Sequence, residues 1–242
     1  LGHEVGLHTH PHRSSFYNKQ LDEYNLAQQE RVIRYGKKVL EELLQEDVAS
    51  FRAGGYRHNN DTITALSNLG FLADSSVLFP FHLNATSCSK YVLPHSVGNL
   101  TEVPISPVIV AGKHGSFRFS KLDFNWLGTQ DLIKTIVDGQ RSDLLSHFNF
   151  MMHSFSFVNK RRVTGEGDPQ SLKVSRPQKN GKKIEILGEA SEAFSEFKRF
   201  LDWLASEEIR VETVSDTATN RLVKYGSENS TNNVNPVRVC KR

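Results

Sequence analysis

The segment His8-Thr9-His10-Pro11-His12 puts three imidazoles within five residues. Imidazole is a common metal ligand, and rings this close in sequence can converge on one divalent ion, zinc above all. His3 to Thr9 (H-E-V-G-L-H-T) reads as a short strand running into this turn, and Pro11 blocks its regular continuation. A histidine ending a strand and another four residues on, after a turn, can face the same point. The pair expected to hold a metal is therefore His8 and His12, with His10 close enough to compete. The alternative is a polar surface turn, which has no need of three rings.

Three further places carry residues suited to catalysis. In Phe51-Arg52-Ala53-Gly54-Gly55-Tyr56, an arginine at a strand end can orient a carboxylate through a two-pronged hydrogen bond. The glycines after it let backbone amides approach a ligand closely. An ordinary turn with a surface arginine is the competing reading. In Asp74-Ser75-Ser76, an acid at a strand end can hold a histidine in one orientation and raise its pKa, although a turn or cap role is simpler. In Met151-Met152-His153-Ser154, a histidine leaving an apolar strand is a candidate general acid or base, set against a satisfied core histidine. Glu102, ahead of Pro104, could touch a substrate but reads better as structural. Cys88 is not placed for nucleophilic work.

These residues need elements to carry them. Residues 21 to 46 read as a helix, with Leu26, Ile33, Leu40 and Leu44 at helical spacing. Val48 to Arg52 reads as a strand closed by Gly54-Gly55. A short helix follows, opened by Asn60-Asp61 and ended by Gly70. Phe71 to Val77 is a strand, Leu78 to Asn99 irregular, and Leu100 to Val110 strand-like but interrupted by Pro104 and Pro107. Thr129 to Gln140 reads as a helix and Phe148 to His153 as a strand. Residues 159 to 186 read as a basic loop. Glu189 to Glu207 is a helix with Phe194, Phe197, Leu201 and Leu204 on one stripe. Ile209 to Val214 is the closing strand, and the chain beyond about Arg221 reads as an extension. Alternating strands and helices give an α/β fold with a parallel sheet or barrel, where chemistry collects at strand C-terminal ends. His8 to His12, Arg52 to Gly55, Asp74 and His153 all fall at such ends.

Composition narrows the classes further. The 242 residues make one large domain or two small ones, and 38% apolar residues suffice for a packed core. A net charge of +3 without a dominant basic block does not favour nucleic acid as partner. The apolar runs fall well short of the roughly 18–20 residues of a transmembrane segment. Cys88 and Cys240 can form one disulfide at most. No Walker loop, G-x-G-x-x-G, G-x-S-x-G or H-E-x-x-H motif is present.

The order of the four motifs resembles that of the polysaccharide deacetylase family, the NodB-like homology domain. The stretch G-H-E-V-G-L-H-T-H-P-H is similar to the family's H-[ST]-x-x-H motif, which maps metal ligands onto His8 and His12. F-R-A-G-G resembles the arginine motif R-x-P-Y, with Gly54 and Gly55 in place of Pro and Tyr. G-F-L-A-D-S-S and M-M-H-S resemble the next two, with the acid at Asp74 and the histidine at His153. The resemblance covers roughly residues 1 to 216, leaving 217 to 242 as a C-terminal extension. It implies a distorted (β/α)7-type barrel. It also implies metal-dependent removal of N- or O-acetyl groups from a glycan by a metal-activated water. In that scheme Arg52 orients the base, the Gly55 N–H stabilises the oxyanion, His153 protonates the leaving group and Asp74 tunes it. The family's first motif, T-F-D-D, supplies the base and an acidic ligand and has no counterpart here. It is expected upstream of Leu1, with the first strand and helix. A noncatalytic carbohydrate-binding protein on the same fold and a related cyclic-amide hydrolase are the alternatives. The compartment stays open between cytoplasm and cell envelope, and the oligomeric state is not disclosed.

Overall fold

The computed structural model describes residues 3–14, 17–78, 93–111, 117–123, 127–141, 147–153, 158–163, 183–190 and 192–226. They fall into two compact units, one drawn from 1–121, 139–149 and 211–242 and the other from 122–138 and 150–210. Cys88 and Cys240 lie outside the described residues. Among the described residues, no helix is long and apolar enough to cross a membrane.

The first unit is built on a five-stranded sheet. Its strands are β1 (Leu7–Thr9), β2 (Ser50–Ala53), β3 (Ala73–Asp74), β4 (His95–Val97) and β5 (Leu100–Glu102), in the order β1-β2-β3-β5-β4. The first four in that order are parallel, as the alternation of strands and helices predicts. β4 folds back antiparallel on β5 through Gly98-Asn99. The fold is thus mixed α/β with a parallel-rich sheet. Beyond the sheet, β6 (Pro107–Ala111) and β7 (Phe117–Lys121) form an antiparallel pair.

Helices α1 (Leu26–Leu44) and α2 (Asn60–Asn68) bury the apolar side of this sheet. Val32 and Ile33 of α1 and Ala65 and Leu66 of α2 pack with Leu7, Val48, Phe51 and Phe71 in one core cluster. Residues 21–23 form a separate 3-10 turn, because Asn25 caps α1: its side chain accepts from Gln28 N–H at 3.1 Å. Asn59 caps α2 in the same way through Thr62 N–H. The two caps are joined by Gln29, a fully buried side chain that donates to Tyr24 O and Asn59 Oδ1 and accepts from Thr62 Oγ1. A buried amide left unpaired would cost about 1–3 kcal/mol, so this bonding fixes α1 against α2.

Several expectations are corrected. Phe148 to His153 is not a strand; Met151 makes one parallel bridge to Asp123, its N–H donating to Leu122 O. Part of the basic loop is a hairpin of β8 (Val158–Val163) and β9 (Lys183–Ala190), consistent with the alternation in K-I-E-I. Ile209 to Val214 is not a strand. It leads into α5 (Val214–Gly226), whose first amides, Val214 and Ser215, donate to Glu4 Oε2. A carboxylate there satisfies orphan donors and suits the positive end of the helix dipole.

In the second unit α3 (Thr129–Arg141) begins with Thr129, whose hydroxyl donates to Glu196 O of α4 (Glu192–Ser206). The expected stripe on α4 is rotated. Phe194 and Leu201 are 48% and 42% exposed, whereas Phe200 is 1% and Leu204 6%. Phe200 meets the Phe150 ring edge-on at 5.5 Å and stacks on Trp203, and this aromatic contact selects the buried face. Accordingly Phe200→Ala should destabilise the protein by about 3–5 kcal/mol, and Phe194→Ala by clearly less. Urea unfolding of both variants checks the assignment.

Candidate functional site

Register brings the first two motifs together. Parallel pairing of β1 and β2 sets Leu7 beside Phe51 and His8 beside Arg52. Leu7 and Phe51 enter the apolar core, so their neighbours along each strand face the other way. His8 Nδ1 donates to the Arg52 carbonyl at 2.8 Å. A carbonyl only accepts, so Nδ1 carries the hydrogen and the Nε2 lone pair of the neutral ring points away from the strand. Packing around the ring holds its pKa below the ordinary 6.5, and the Arg52 charge adds to this against the carbonyl bond. His8 is therefore neutral at neutral pH, as a metal ligand must be.

That nitrogen meets His10, not His12. His8 Nε2 accepts a hydrogen bond from His10 Nε2–H at 3.0 Å, with the two rings edge to face; a metal ion held by both nitrogens would displace that proton. His10 reaches this position because Gly54 lacks a side chain. A Cβ there would lie 2.6 Å from His10 Nδ1 and would overlap the Thr9 carbonyl. Pro11 opens a 3-10 turn, Pro11–Arg13, that sets the His12 ring edge-on to His10 with ring centres 5.5 Å apart, and His12 Nε2 accepts from Arg13 Nε at 3.4 Å. Two imidazole nitrogens at this spacing, one with its tautomer fixed by a carbonyl, fit half of a zinc coordination shell. Among the described residues, no group of three or more His, Cys, Asp or Glu side chains is placed to hold a metal ion.

Arg52 is held by Ser75. Its Nε donates to Ser75 O at 3.0 Å and its Nη2 to Ser75 Oγ at 2.8 Å. Burial lowers the guanidinium pKa, opposed by Tyr56, Asp74 and Glu102, and the group remains a cation. Gly55 follows with φ +62°, and Tyr56 repeats the left-handed conformation with φ +60°. Only glycine adopts that region without strain, so the tyrosine is held there by its surroundings.

Asp74 sits at the end of β3 and is completely buried. Its Oδ1 accepts from Ser76 Oγ at 2.5 Å, and the Ser76 oxygen also receives Ala53 N–H. Its register partners are Phe51 and Glu102, a row separate from His8 and Arg52. Glu102, also buried, accepts from Val77 N–H through Oε1, and a side-chain hydrogen bond links it to Asp74; among the described residues no other group bonds Asp74 Oδ2 or Glu102 Oε2. Burial raises both carboxyl pKa values. His58 is the first charge to oppose this at Asp74, and the Asp74 charge pushes Glu102 higher still. Glu102 is thus the proton-holding member of the pair. His153 is exposed and belongs to the second unit.

Two partners in the first unit were not singled out from sequence as site residues. Ser75 could have been found, since it lies one residue beyond Asp74 and so on the Arg52 row. Asn149, which donates to Ser75 Oγ at 2.8 Å, carries no such signal.

A proton bound more tightly in the folded state stabilises below the unfolded pKa, and that stability is lost as pH rises through the folded pKa. Replacing Glu102 by Gln keeps an acceptor for Val77 and mimics the protonated acid. Glu102→Gln should match the parent in acid and become progressively more stable than it above pH 4.5, the ordinary glutamate value. Urea melts at stepped pH test this, and a difference that shrinks with rising pH would contradict the assignment.

No family model matches the sequence. No curated protein matches it either. A crystal structure described as a "putative polysaccharide deacetylase from Mycobacterium smegmatis" is similar in fold, with a TM-score of 0.54 at 16% sequence identity. The match covers 93% of this chain and 64% of that one, so the chain spans a little under two thirds of the neighbour's length. At this identity the likeness is one of fold.

Proposed function

We propose that the chain carries the catalytic machinery of a metal-dependent carbohydrate deacetylase on a barrel of the (β/α)7 type. The observation that carries this reading is the His8–His10 nitrogen pair, fixed by the Arg52 carbonyl at a strand C-terminal end. The fold-level likeness to a deacetylase supports it. In this reading His8 and His10 hold a zinc ion, His12 is a reserve donor, and a carboxylate beyond these residues completes the shell. The ion supplies Lewis acidity toward an acetyl carbonyl.

The remaining roles belong to the chain itself. Arg52, anchored along one edge by Ser75, orients a base carboxylate with its other edge. The Gly55 amide, in a left-handed turn, donates to the developing oxyanion. His153 returns a proton to the leaving amine or alcohol, a role that rests on its sequence motif. Asp74, enclosed with Glu102, adds negative potential behind Arg52 and His58. The substrate is an acetylated glycan. A sugar-binding protein on the same fold is the second reading, favoured by the want of a third ligand among the described residues.

Acetate release from N-acetylglucosamine oligomers and from acetylated xylan, with and without added zinc, tests the proposal. Release that depends on the metal is expected; sugar binding without release would select the second reading. His8→Ala should weaken zinc binding by more than the about 10–100-fold typical of outer-shell changes, read by calorimetry. His153→Ala should keep its zinc and lose about 10²–10⁴-fold in kcat; loss of zinc from that variant would refute its role.

A further inference from the structure

We infer that Ser75 and Asn149 are positioning residues, which lock the Arg52 guanidinium through a neutral, fully bonded hydroxyl. The inference rests on the functional reading above for the purpose of the lock, but not for its existence. The Ser75 hydroxyl is buried, at 2% exposure, and makes three bonds. It donates to Val103 O at 2.7 Å and accepts from Arg52 Nη2 at 2.8 Å and from Asn149 Nδ2 at 2.8 Å. A hydroxyl has one donor and two acceptor sites, so this one is saturated.

Asn149 is itself fixed. Its Nδ2 also donates to Val103 O at 2.9 Å, and its backbone N–H donates to Ser106 Oγ at 2.8 Å. Ser106 N–H donates back to Asn149 O at 2.9 Å. Ser75 alone bonds the guanidinium, and Val103 and Asn149 hold its hydroxyl in place from two other parts of the chain. Arg52 uses Nε and Nη2 for Ser75 and, among the described residues, makes no hydrogen bond through Nη1. That leaves the Nη1 edge, on a half-buried side chain, for an anionic group at the site.

The chemistry of the anchor matters. A carboxylate in place of the serine would neutralise Arg52 and weaken its pull on a second anion. A hydroxyl and a carbonyl hold the group by dipoles alone and leave its full positive charge to act. The nearest acids, Asp74 and Glu102, contribute only through space, and burial raises the proton affinity of both. The anchor thus fixes geometry without discharging the cation, which is what a charge-orienting arm requires.

The test follows the arginine side-chain N–H signals of the full chain by NMR, in the parent, Ser75→Ala, Ser75→Thr and Asn149→Ala. In Ser75→Ala the Arg52 signals should broaden and their solvent exchange accelerate about tenfold or more, as expected for loss of a charge-assisted bond. Ser75→Thr should restore them, and Asn149→Ala should show a smaller change of the same kind. Zinc affinity should be unchanged in all variants, because the Arg52 carbonyl that holds His8 is untouched. Undisturbed Arg52 signals in Ser75→Ala, or failure of threonine to restore them, would overturn the inference. Should Ser75→Ala not fold, Asn149→Ala decides by the same readout. Where acetate release is detected, kcat should fall in step with the NMR change while KM holds. Absence of acetate release from every protein, including the parent, would sink the functional reading and leave the NMR result standing.

Discussion

The bond from the His8 ring to the Arg52 carbonyl is the contact on which the site depends. It is a cross-strand bond, made possible by parallel pairing that sets His8 beside Arg52. It fixes the tautomer of one imidazole, and so the direction in which its Nε2 lone pair meets His10. It also makes the main chain of β2 serve two functions at one residue. The Arg52 carbonyl orients a histidine, while the Arg52 side chain reaches the next strand and is caught by Ser75. Moving β2 by one residue would send Arg52 into the apolar core and Phe51 to the site, because side chains alternate between the two faces. The core cluster of Leu7, Phe51 and Phe71 therefore guards the chemistry: it holds the register by making every other register expensive.

Steric room completes what register begins. The His10 ring can lie against His8 only where the chain after β2 has no side chain, and Gly54 meets that demand at the place where β1 and β2 end together. The pair of glycines does two separate tasks. Gly54 gives space to a neighbouring ring, and Gly55 gives the backbone a left-handed turn.

Much of the fold was legible because its signals are local. Caps at Asn25 and Asn59, and the βα alternation, identify the helices and the parallel sheet without knowledge of the partners. The strand-end placement of His8, Arg52 and Asp74 was readable for the same reason. What failed was anything decided by a distant contact. On α4 the sets Phe194–Phe197–Leu201–Leu204 and Phe197–Phe200–Leu204 are both acceptable at helical spacing, and only the ring of Phe150 separates them. The placing of the three imidazoles is likewise set by contacts the spacing does not show: Gly54 leaves room for His10 against His8, and the 3-10 turn at Pro11 sets the His12 ring 5.5 Å from His10. Asn149 had no sequence signal at all, since an asparagine between two phenylalanines says nothing of Ser75.

The two rows of polar residues across the sheet explain why one acid and one cation behave so differently. The His8–Arg52 row keeps contact with solvent; His8 is neutral, and Arg52 is held through the dipoles of Ser75 alone. The Asp74–Glu102 row is buried, and two carboxylates side by side there cannot both ionise at low cost. A shared proton is the least expensive arrangement, and it keeps the net negative charge behind Arg52 to about one unit rather than two. Arg52 then lies between a single buried negative charge and an open edge. Its attraction for an incoming anion is tempered but not cancelled. The protonation of a residue that never touches the ligand thereby tempers the charge that Arg52 presents.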